Sequence, residues 1–444
     1  MYPLYAESHE PLDPGRRSDR VIRMRRQLIL LLVPALVLAQ RRSPQRSLTD
    51  QAGQISTDQQ IALYEKQAAG QPGNLHFQNL LASAYIQKVR ESTDFTYLDR
   101  ASTLVENVLS TDGGNYEAMR LRSEIELERH AFAHVVEYSE GLTAIAPEDP
   151  WNWGTLGDAL MELGQYDQAS KAYQKMLAIR ANQASYNRVA YHRFVSGNSK
   201  EAIELMKLAV AAGGAAPENT AWCLVELGNM NFKAGQLDPA EEVYNQALKL
   251  FRGYHSANAG LGRVKAAQGK RQEAIDRYKR AQASVPLPEY AAALHALYLQ
   301  TGKWVEAKKQ IELIDVVDRL AQASGEKTNR NLAVIYADQV RRLDRALELI
   351  EEELKVRQDV YTYDALAWVL YKQKRYEEAQ RAMDRALKMG TPEPGFHYHA
   401  GMIAFALDRK PEAMKHLQRA LALNPKFDTS QASIAEETLV RIRK

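Results

Sequence analysis

Residues whose side chains could do chemistry are few in this sequence, and their spacing is not that of a catalytic site. The sequence has no HExxH, GxSxG or GxxxxGK[ST] motif, which are the signatures of zinc peptidases, serine hydrolases and P-loop proteins. His130 and His134 are four residues apart, on one face of a helix, and could share a metal ion. Because two histidines leave a zinc site incomplete, we expect a surface pair, and we predict no enzyme, no metal site and no cofactor.

Two further features could carry chemistry, and both favour a structural role. Cys223 is the single cysteine, so an intramolecular disulfide and any multi-cysteine metal site are excluded. We expect it to be a small buried thiol. Gly260 and Gly262, with Gly269 behind them, are similar to a dinucleotide-binding loop, but they lie within a predicted helix and its end, not after a strand. Helix packing is therefore the favoured interpretation.

The composition is that of a folded globular protein with a charged N-terminal segment. The 444 residues are 45% hydrophobic and 25% charged, with 58 basic and 55 acidic side chains and a net charge of +3. Residues 1–47 contain nine Arg and four acidic residues, a balance of +5, so residues 48–444 carry −2. A nearly neutral body argues against a nucleic-acid partner.

The N-terminal segment 1–47 resembles an export signal. Arg23–Arg26 holds three arginines and precedes the 12-residue apolar run Leu28–Ala39, which is too short to span a bilayer as a helix. We expect a signal peptide at 24–39, with Met24 as the true start, cleavage near Ala39 and a periplasmic or secreted protein. The alternatives are an uncleaved membrane tether, which would bring the protein close to a membrane, and a cytoplasmic protein.

The rest of the chain is an internal repeat. Its clearest unit is Trp153-x2-Leu156-Gly157-x2-Leu160. Alanines recur at spacings of 33, 38, 34, 33, 39, 33 and 34 residues, at Ala169, Ala202, Ala240, Ala274, Ala307, Ala346, Ala379 and Ala413. A period near 34 with two insertions indicates repeated helix pairs. The insertions are predicted at 211–219 and around Ser324 and Gly325.

A glycine precedes the alanine by five residues in five successive repeats, at Gly164, Gly197, Gly235, Gly269 and Gly302. Glycine adopts the left-handed conformation that ends a helix without steric cost, so it is predicted to end the first helix of each pair. The next three repeats have other residues there, which predicts strained or differently built turns: Arg341, Lys374 and Asp408.

These features resemble the tetratricopeptide repeat family. The resemblance rests on the period, on the unit containing Trp153 and on Ala169 with Tyr173 in its second helix. It implies an all-α solenoid, a right-handed superhelix of about ten helix-turn-helix repeats. The stretch 220–425 is also similar to a broad group of bacterial repeat proteins without a defined activity.

The repeats suggest boundaries within the body. Residues 48–148 read as degenerate N-terminal repeats preceded by a lone helix at 57–70, and 149–427 as the regular array. Residues 428–444 are predicted to form a capping helix with a more polar face, which solenoids need at their ends.

The resemblance also implies a binding groove on the inner face of the first helices. The groove positions of this family fall on fourteen residues, many of them aromatic: Trp151, Asn187, Tyr191, Phe194, Trp222, Asn229, Phe232, Lys233, Arg263, Tyr361, Trp368, Tyr371, Tyr398 and Phe405. Aromatic rings give contact area at low entropic cost. The alternative is that these rings pack between helices. A narrower idea is that Asn187, Asn229, Lys233 and Arg263 hold a carboxylate together.

The sequence thus predicts a non-enzymatic scaffold that binds a protein or peptide partner, either an extended peptide or a helix, in the concave groove. A periplasmic or envelope assembly factor or chaperone is the first alternative. An enzyme that uses the groove as a substrate channel is the second. No small-molecule substrate is evident from the sequence.

Overall fold

The computed structural model describes residues 55–323 and 329–444. The predicted signal peptide, the rest of segment 1–47 and the insertion at Ser324 and Gly325 lie outside the described residues. Within those ranges the chain is all-helical, and Ser56–Lys444 form one compact unit. In the described part, no helix combines the length and the hydropathy needed to cross a membrane.

The described residues form a lone first helix, ten helix pairs and a lone last helix. The first half comprises α1 (Thr57–Gly70), α2 (Leu75–Ser92), α3 (Thr96–Thr111), α4 (Tyr116–Glu128), α5 (Phe132–Ile145), α6 (Pro150–Glu162), α7 (Tyr166–Ile179), α8 (Gln183–Val195), α9 (Ser199–Ala212), α10 (Pro217–Lys233) and α11 (Leu237–Leu250). The second half comprises α12 (His255–Ala267), α13 (Arg271–Ser284), α14 (Pro288–Gln300), α15 (Trp304–Ala323), α16 (Arg330–Asp338), α17 (Leu343–Val356), α18 (Val360–Lys372), α19 (Tyr376–Ala386), α20 (Pro394–Ala406), α21 (Lys410–Leu423) and α22 (Gln431–Arg443). This confirms the predicted all-α solenoid.

Each pair is held by a small residue against a large one. The eight alanines of the repeat are all at most 1% exposed, because each faces the other helix of its pair. Gly157 on α6 lies against the ring of Tyr173 on α7, and a Cβ at position 157 would overlap that ring. Gly228 and Tyr244 repeat the arrangement between α10 and α11. The sequence therefore repeats every 34 residues or so because the same contact of a small residue with a large one recurs in successive helix pairs.

The turns between paired helices follow the prediction. The five turn glycines have φ between +69° and +85°, so the predicted left-handed helix ends are confirmed. Lys374 and Asp408 adopt the same conformation at φ 63° and 56°, which is strained for residues with a Cβ. The remaining non-glycine turn, at Arg341, is built differently. Its residues with positive φ are Val340 and Arg342, on either side of Arg341.

The lone helices close the two ends. α1 spans the predicted residues 57–70, and Ser56 caps it with a capping box that includes Gln59. α22 begins at Gln431, three residues later than predicted, because the Asp428 carboxylate accepts hydrogen bonds from the backbone N–H groups of Ser430 and Gln431, both at 2.8 Å. An Asx turn therefore occupies the first residues of the expected helix.

The superhelix curves so strongly that repeats far apart in sequence touch. We call this contact the seam. It comprises three hydrogen bonds to the last turns of α6, α8 and α10: Gln358 N to the Glu162 carbonyl at 2.8 Å, Thr391 Oγ1 to the Val195 carbonyl at 2.6 Å and Asn424 Nδ2 to the Phe232 carbonyl at 2.7 Å. The last carbonyls of a helix have no partner within it, so the loops of later repeats satisfy them.

Candidate functional site

The seam brings the inner faces of the first helices around two cavities. One cavity, of about 670 Å³, is lined mainly by α4, α6, α8, α10 and α12 and is called the N-terminal chamber. The other, of about 800 Å³, is lined mainly by α12, α14, α16, α18 and the segment 426–434 and is called the C-terminal chamber. Volumes of this size are in the range of known ligand pockets.

The predicted groove residues divide between the two chambers. Four line the N-terminal chamber, at Trp151, Asn187, Tyr191 and Trp222. Another four line the C-terminal chamber, at Phe232, Arg263, Trp368 and Tyr398. Asn229 lies in a smaller cavity of about 280 Å³, which Arg263 also lines. Tyr371 stacks on Trp368, and Phe405 lies 5.2 Å below the guanidinium of Arg441 on α22.

Three predicted residues meet across the axis of the superhelix and form what we call the central cluster. The Lys233 ammonium lies 2.7 Å from the carboxylate of Glu393, 5.1 Å from the Phe194 ring and 5.4 Å from the Tyr361 ring. Burial alone would lower the pKa of Lys233, but the Glu393 carboxylate raises it. Lys233 is therefore charged and already paired within the chain.

Four of the candidate rings are buried, which agrees with the alternative that they pack between helices. Trp368 is 1% exposed, and Phe194, Phe232 and Tyr398 are 2–3% exposed. Trp368 stacks on His399 with ring centroids 4.0 Å apart, and its Nε1 donates to Asp338 at 2.8 Å. These rings are buried because they pack against adjacent helices and the neighbouring repeats, as Trp368 does between Asp338 and His399. Trp151, Tyr191 and Trp222 keep partial exposure.

The predicted carboxylate-holding set is not brought together. Arg263 Nη2 donates to Asn229 Oδ1 at 2.5 Å, so these two do meet. Asn187 instead lies against Cys223 Sγ, at 3.7 Å, on the N-terminal chamber, and Lys233 is paired with Glu393. The idea is wrong because Lys233, one of its two cations, is neutralised by Glu393, and because its two amides lie in different cavities.

The N-terminal chamber is strongly charged, with six carboxylates and three guanidinium groups on its walls. Arg188 binds Asp158 in a bidentate manner, with Nε at 2.9 Å and Nη2 at 2.7 Å, and Tyr173 donates to the same carboxylate at 2.8 Å. Such fork-like pairs fix both side chains. These groups therefore stabilise the wall.

Two more carboxylates of this chamber have guanidinium partners. Arg357 Nε lies 2.5 Å from Glu162, which ties α6 to the end of α17 at the seam. Glu218 is 1% exposed; Tyr254 donates to it at 2.9 Å, and Arg90 Nε lies 3.4 Å away. All three arginines of the chamber are thus engaged by a carboxylate.

No cationic side chain of the described residues lies within ion-pair distance of the remaining carboxylates. Glu124 and Glu128 are four residues apart on α4, and neither side chain has a hydrogen bond or ion pair among the described residues. Glu226 accepts one hydrogen bond, from Asn229 Nδ2 at 3.0 Å. Burial raises the pKa of all three carboxyl groups. The chamber therefore holds three carboxyl groups whose ionised form would be stabilised by an additional cation.

Sequence reasoning missed these acidic residues, although a signal exists. Glu124 and Glu128 stand 34 residues before Asp158 and Glu162, which is one repeat earlier. They occupy the same inner positions of the repeat from which the groove candidates were selected. α4 belongs to a degenerate repeat, however, and lies outside the regular array on which the groove register is defined.

The other residues considered for chemistry have structural roles. His130 stacks on Phe132 while His134 pairs with Glu126 at 2.9 Å, so the two histidines do not face a common ion. Burial raises the pKa of the Cys223 thiol to about 11, which keeps it protonated at neutral pH. Among residues 55–323 and 329–444, no three His, Cys, Asp or Glu side chains are placed to hold a metal.

Gly260 and Gly262 lie inside α12. Gly260 faces the Tyr244 ring and Gly262 faces the Tyr278 ring, each closely enough that a Cβ would clash. They are therefore helix-packing glycines and do not form a nucleotide-binding loop.

Comparison with known proteins gives matches to repeat families. Three models described as tetratricopeptide repeat match the chain, at residues 225–289 and 365–426, at 181–253 and at 126–190. Together these matches cover just over half of the sequence. No curated protein matches the chain.

Solved structures also match. Yeast Tom70 is 12% identical, covering 87% of this chain and 93% of its own, with a TM-score of 0.35. The APC/C hetero-tetramer Cut9–Hcn1 is 16% identical, with coverages of 83% and 76% and a TM-score of 0.41. PilW, a type IV pilus biogenesis factor, is 15% identical, with coverages of 46% and 93% and a TM-score of 0.40.

Proposed function

Because the chain belongs to the tetratricopeptide repeat family, we propose that it is a non-enzymatic scaffold that binds an extended segment of a partner protein in its N-terminal chamber. Solenoids of this kind present a concave surface built from equivalent positions of successive repeats. The observation that carries the proposal is the chamber itself, whose walls come from five such first helices.

The chamber offers both contact area and orientation to a peptide. Trp151 lies in the first turn of α6 and Trp222 lies on α10, and both are partly exposed on the chamber wall. Such rings act as anchors in interfaces, since they bury a large area with few rotatable bonds. Asn187, which is partly exposed on the same wall, can bond to a peptide backbone. Affinity would come from several repeats together.

The C-terminal chamber is a weaker candidate for the partner. Three of its lining rings, Trp368, Phe232 and Tyr398, are buried and make intramolecular contacts, while Tyr278 and Phe427 keep partial exposure. A partner there would meet ring edges and the aliphatic residues of α14. Removing a ring from this wall would also disturb the core.

The cellular setting is part of the proposal. Arg23–Arg26 and the apolar run 28–39 support export, and an exported scaffold would serve assembly of the envelope or act as a chaperone there. Uncleaved, the same run would hold the array near a membrane.

The test is native co-purification through a C-terminal tag, with wild type and Trp222→Ala compared and the N-terminal peptide of the protein identified by mass spectrometry. We expect a partner that is recovered with wild type and depleted at least about fivefold with the variant. Recovery of the same partners at equal amounts would contradict binding in the N-terminal chamber. A chain that begins at Gln40 would support export, and one that begins at Met1 or Met24 would contradict cleavage near Ala39.

A further inference from the structure

We propose that the N-terminal chamber selects a partner segment with basic side chains, whose arginine or lysine residues bind Glu124 and Glu128. This inference rests on the proposed function, because it names the chemistry of the peptide that the same chamber would hold.

The charge balance of the chamber wall is the first observation. Six carboxylates face three guanidinium groups, which leaves a formal charge of −3 with the two histidines neutral. The arginines do not neutralise all six carboxylates equally, since Arg188 is fixed on Asp158 and Arg357 on Glu162 and Glu353. The excess negative charge is therefore located on particular residues.

Glu124 and Glu128 contribute most of this excess negative charge. They project from the same face of α4, one turn apart, and no described side chain bonds to either. The positive charge of Arg90 acts on both carboxyl groups, but its own hydrogen bond goes to Glu218. Burial of the two carboxyl groups raises their pKa values, so each ionised group lacks the solvation or partner that would stabilise it. An incoming cation supplies that partner.

Aromatic rings on the same cavity suit the rest of a basic side chain. Trp151 and Trp222 are partly exposed on the wall, and the guanidinium of Arg120 already lies 4.7 Å from the Trp151 ring. Indole faces attract cations and cover the aliphatic stem of lysine or arginine. A carboxylate pair beside indole rings therefore fits a guanidinium or ammonium head with its stem.

Length argues for a peptide as the occupant. The lining runs from Arg90 on α2, through α4, α6, α8 and α10, to Ser256 on α12, so the cavity crosses successive repeats. An extended segment could contact all of them, while a single small cation would fill one end. A basic peptide in extended conformation would thus complement the acidic lining over several repeats.

The experiment measures the binding of three labelled dodecapeptides to the full chain by fluorescence anisotropy. The peptides share a Gly, Ser and Leu background and differ at three positions, which are all Arg, all Gln or all Glu. We expect the Arg peptide to bind at least about tenfold more tightly than the other two, because hydrogen bonds between charged groups are stronger than those between neutral groups.

Variants locate the binding. Glu124→Gln with Glu128→Gln should weaken the Arg peptide by about tenfold or more and leave the Gln peptide unchanged. Glu137→Gln with Glu140→Gln is the matched control, because both residues are exposed on α5 and their loss also removes two charges. Melting temperatures check folding, and the chamber variant should melt at or above wild type because its carboxylates have no partner to lose. If it unfolds, Glu124→Gln alone is tested in the same way.

Several results would overturn the inference. Equal binding of the Arg and Gln peptides, with both weakened by Trp222→Ala, would remove the charge selection and leave the proposed function standing. Loss of affinity that is equal in the chamber and control variants would indicate attraction by overall charge only. Spermidine that binds through Glu124 and Glu128 when the Arg peptide does not would indicate a small polycation as the ligand.

Discussion

The Thr391 hydroxyl donates a 2.6 Å hydrogen bond to the backbone carbonyl of Val195, although the two residues are 196 positions apart. Val195 is the last residue of α8, whose final carbonyls have no partner within the helix. A loop five repeats later therefore completes the end of a first helix. Asn424 does the same for Phe232 one repeat further along. These bonds fix the curvature that encloses the two chambers.

Some turn glycines provide a left-handed helix end and also leave room for the backbone of a distant repeat at the seam. Comparing Gly164, which lies at the seam, with Gly269, which does not, separates these two roles. Gly164 has φ +69°, and a Cβ there would lie 2.5 Å from the Gln358 carbonyl oxygen. Gly269 has φ +76°, and a Cβ there would have no neighbouring atom within 4 Å. Gly269→Ala should cost only the left-handed conformation, about 1 kcal/mol. Gly164→Ala should lower the melting temperature clearly more, and equal losses would mean that the seam adds no stability.

The Lys233–Glu393 pair of the central cluster is predicted to matter through its burial. Glu393→Gln leaves the Lys233 ammonium between two aromatic rings without its ion-pair partner. We expect the free energy of unfolding to fall by about 1–3 kcal/mol. This is below the range for fully buried pairs because both side chains keep some exposure. Adding Lys233→Met should recover part of the loss. A double variant as unstable as the sum of the single variants would show that the two groups do not interact.

Trp368 and Trp222 are predicted to differ, in contrast to the expectation from the sequence that both serve the partner. Trp368→Ala removes a ring that is 1% exposed and should destabilise by about 3–5 kcal/mol. Trp222→Ala removes a partly exposed chamber residue and should reduce partner recovery with a smaller fall in melting temperature. Thermal unfolding of both variants, followed by circular dichroism, decides the matter; the opposite order would place Trp222 in the core.

The difference between the two tryptophans shows where sequence reasoning stops. The period, the buried alanines and the turn glycines such as Gly235 follow from contacts within one repeat, so they could be predicted from a single unit. Which inner rings remain accessible depends on the individual side chains of the neighbouring repeats, such as Asp338 and His399 around Trp368. The enclosure of the chambers depends in addition on contacts between repeats far apart in the chain, such as Lys233 with Glu393. Whether distant repeats touch depends on the small rotation between each pair of neighbouring repeats, added over many repeats. The period of the sequence does not specify that total rotation. Glu124 and Glu128 could have been found by extending the register into the degenerate repeats.

Acid should destabilise the fold through partly buried histidines. Burial, with positive neighbours, lowers the pKa of His397 to about 4, against 6.5 in an exposed histidine. His397 shares a 3.1 Å Nδ1–Nδ1 hydrogen bond with His416, and Lys415 and Arg419 add positive charge from α21. The unfolded chain then binds more protons than the folded chain between about pH 6.5 and pH 4, so stability falls as the pH drops through that window.

The measurement is the melting temperature between about pH 7.5 and pH 5.5. We expect a fall of several degrees for wild type and a shallower fall for His397→Gln. His76→Gln, which changes an exposed histidine on α2, is the control and should follow wild type. The raised pKa values of Glu124, Glu128 and Glu226 act in the opposite direction, because those groups take up protons more readily when folded. A profile that rises on acidification would show that the carboxyl groups dominate.

The most direct test of the scaffold account is site-specific photocrosslinking in cells. A benzophenone amino acid replaces Trp222 on the N-terminal chamber or, as the control, Leu208, which is 49% exposed on α9. A protein partner should be crosslinked from position 222 and not from position 208. Crosslinks from position 208 alone, or the same products at equal yield from both positions, would contradict partner binding in the chamber.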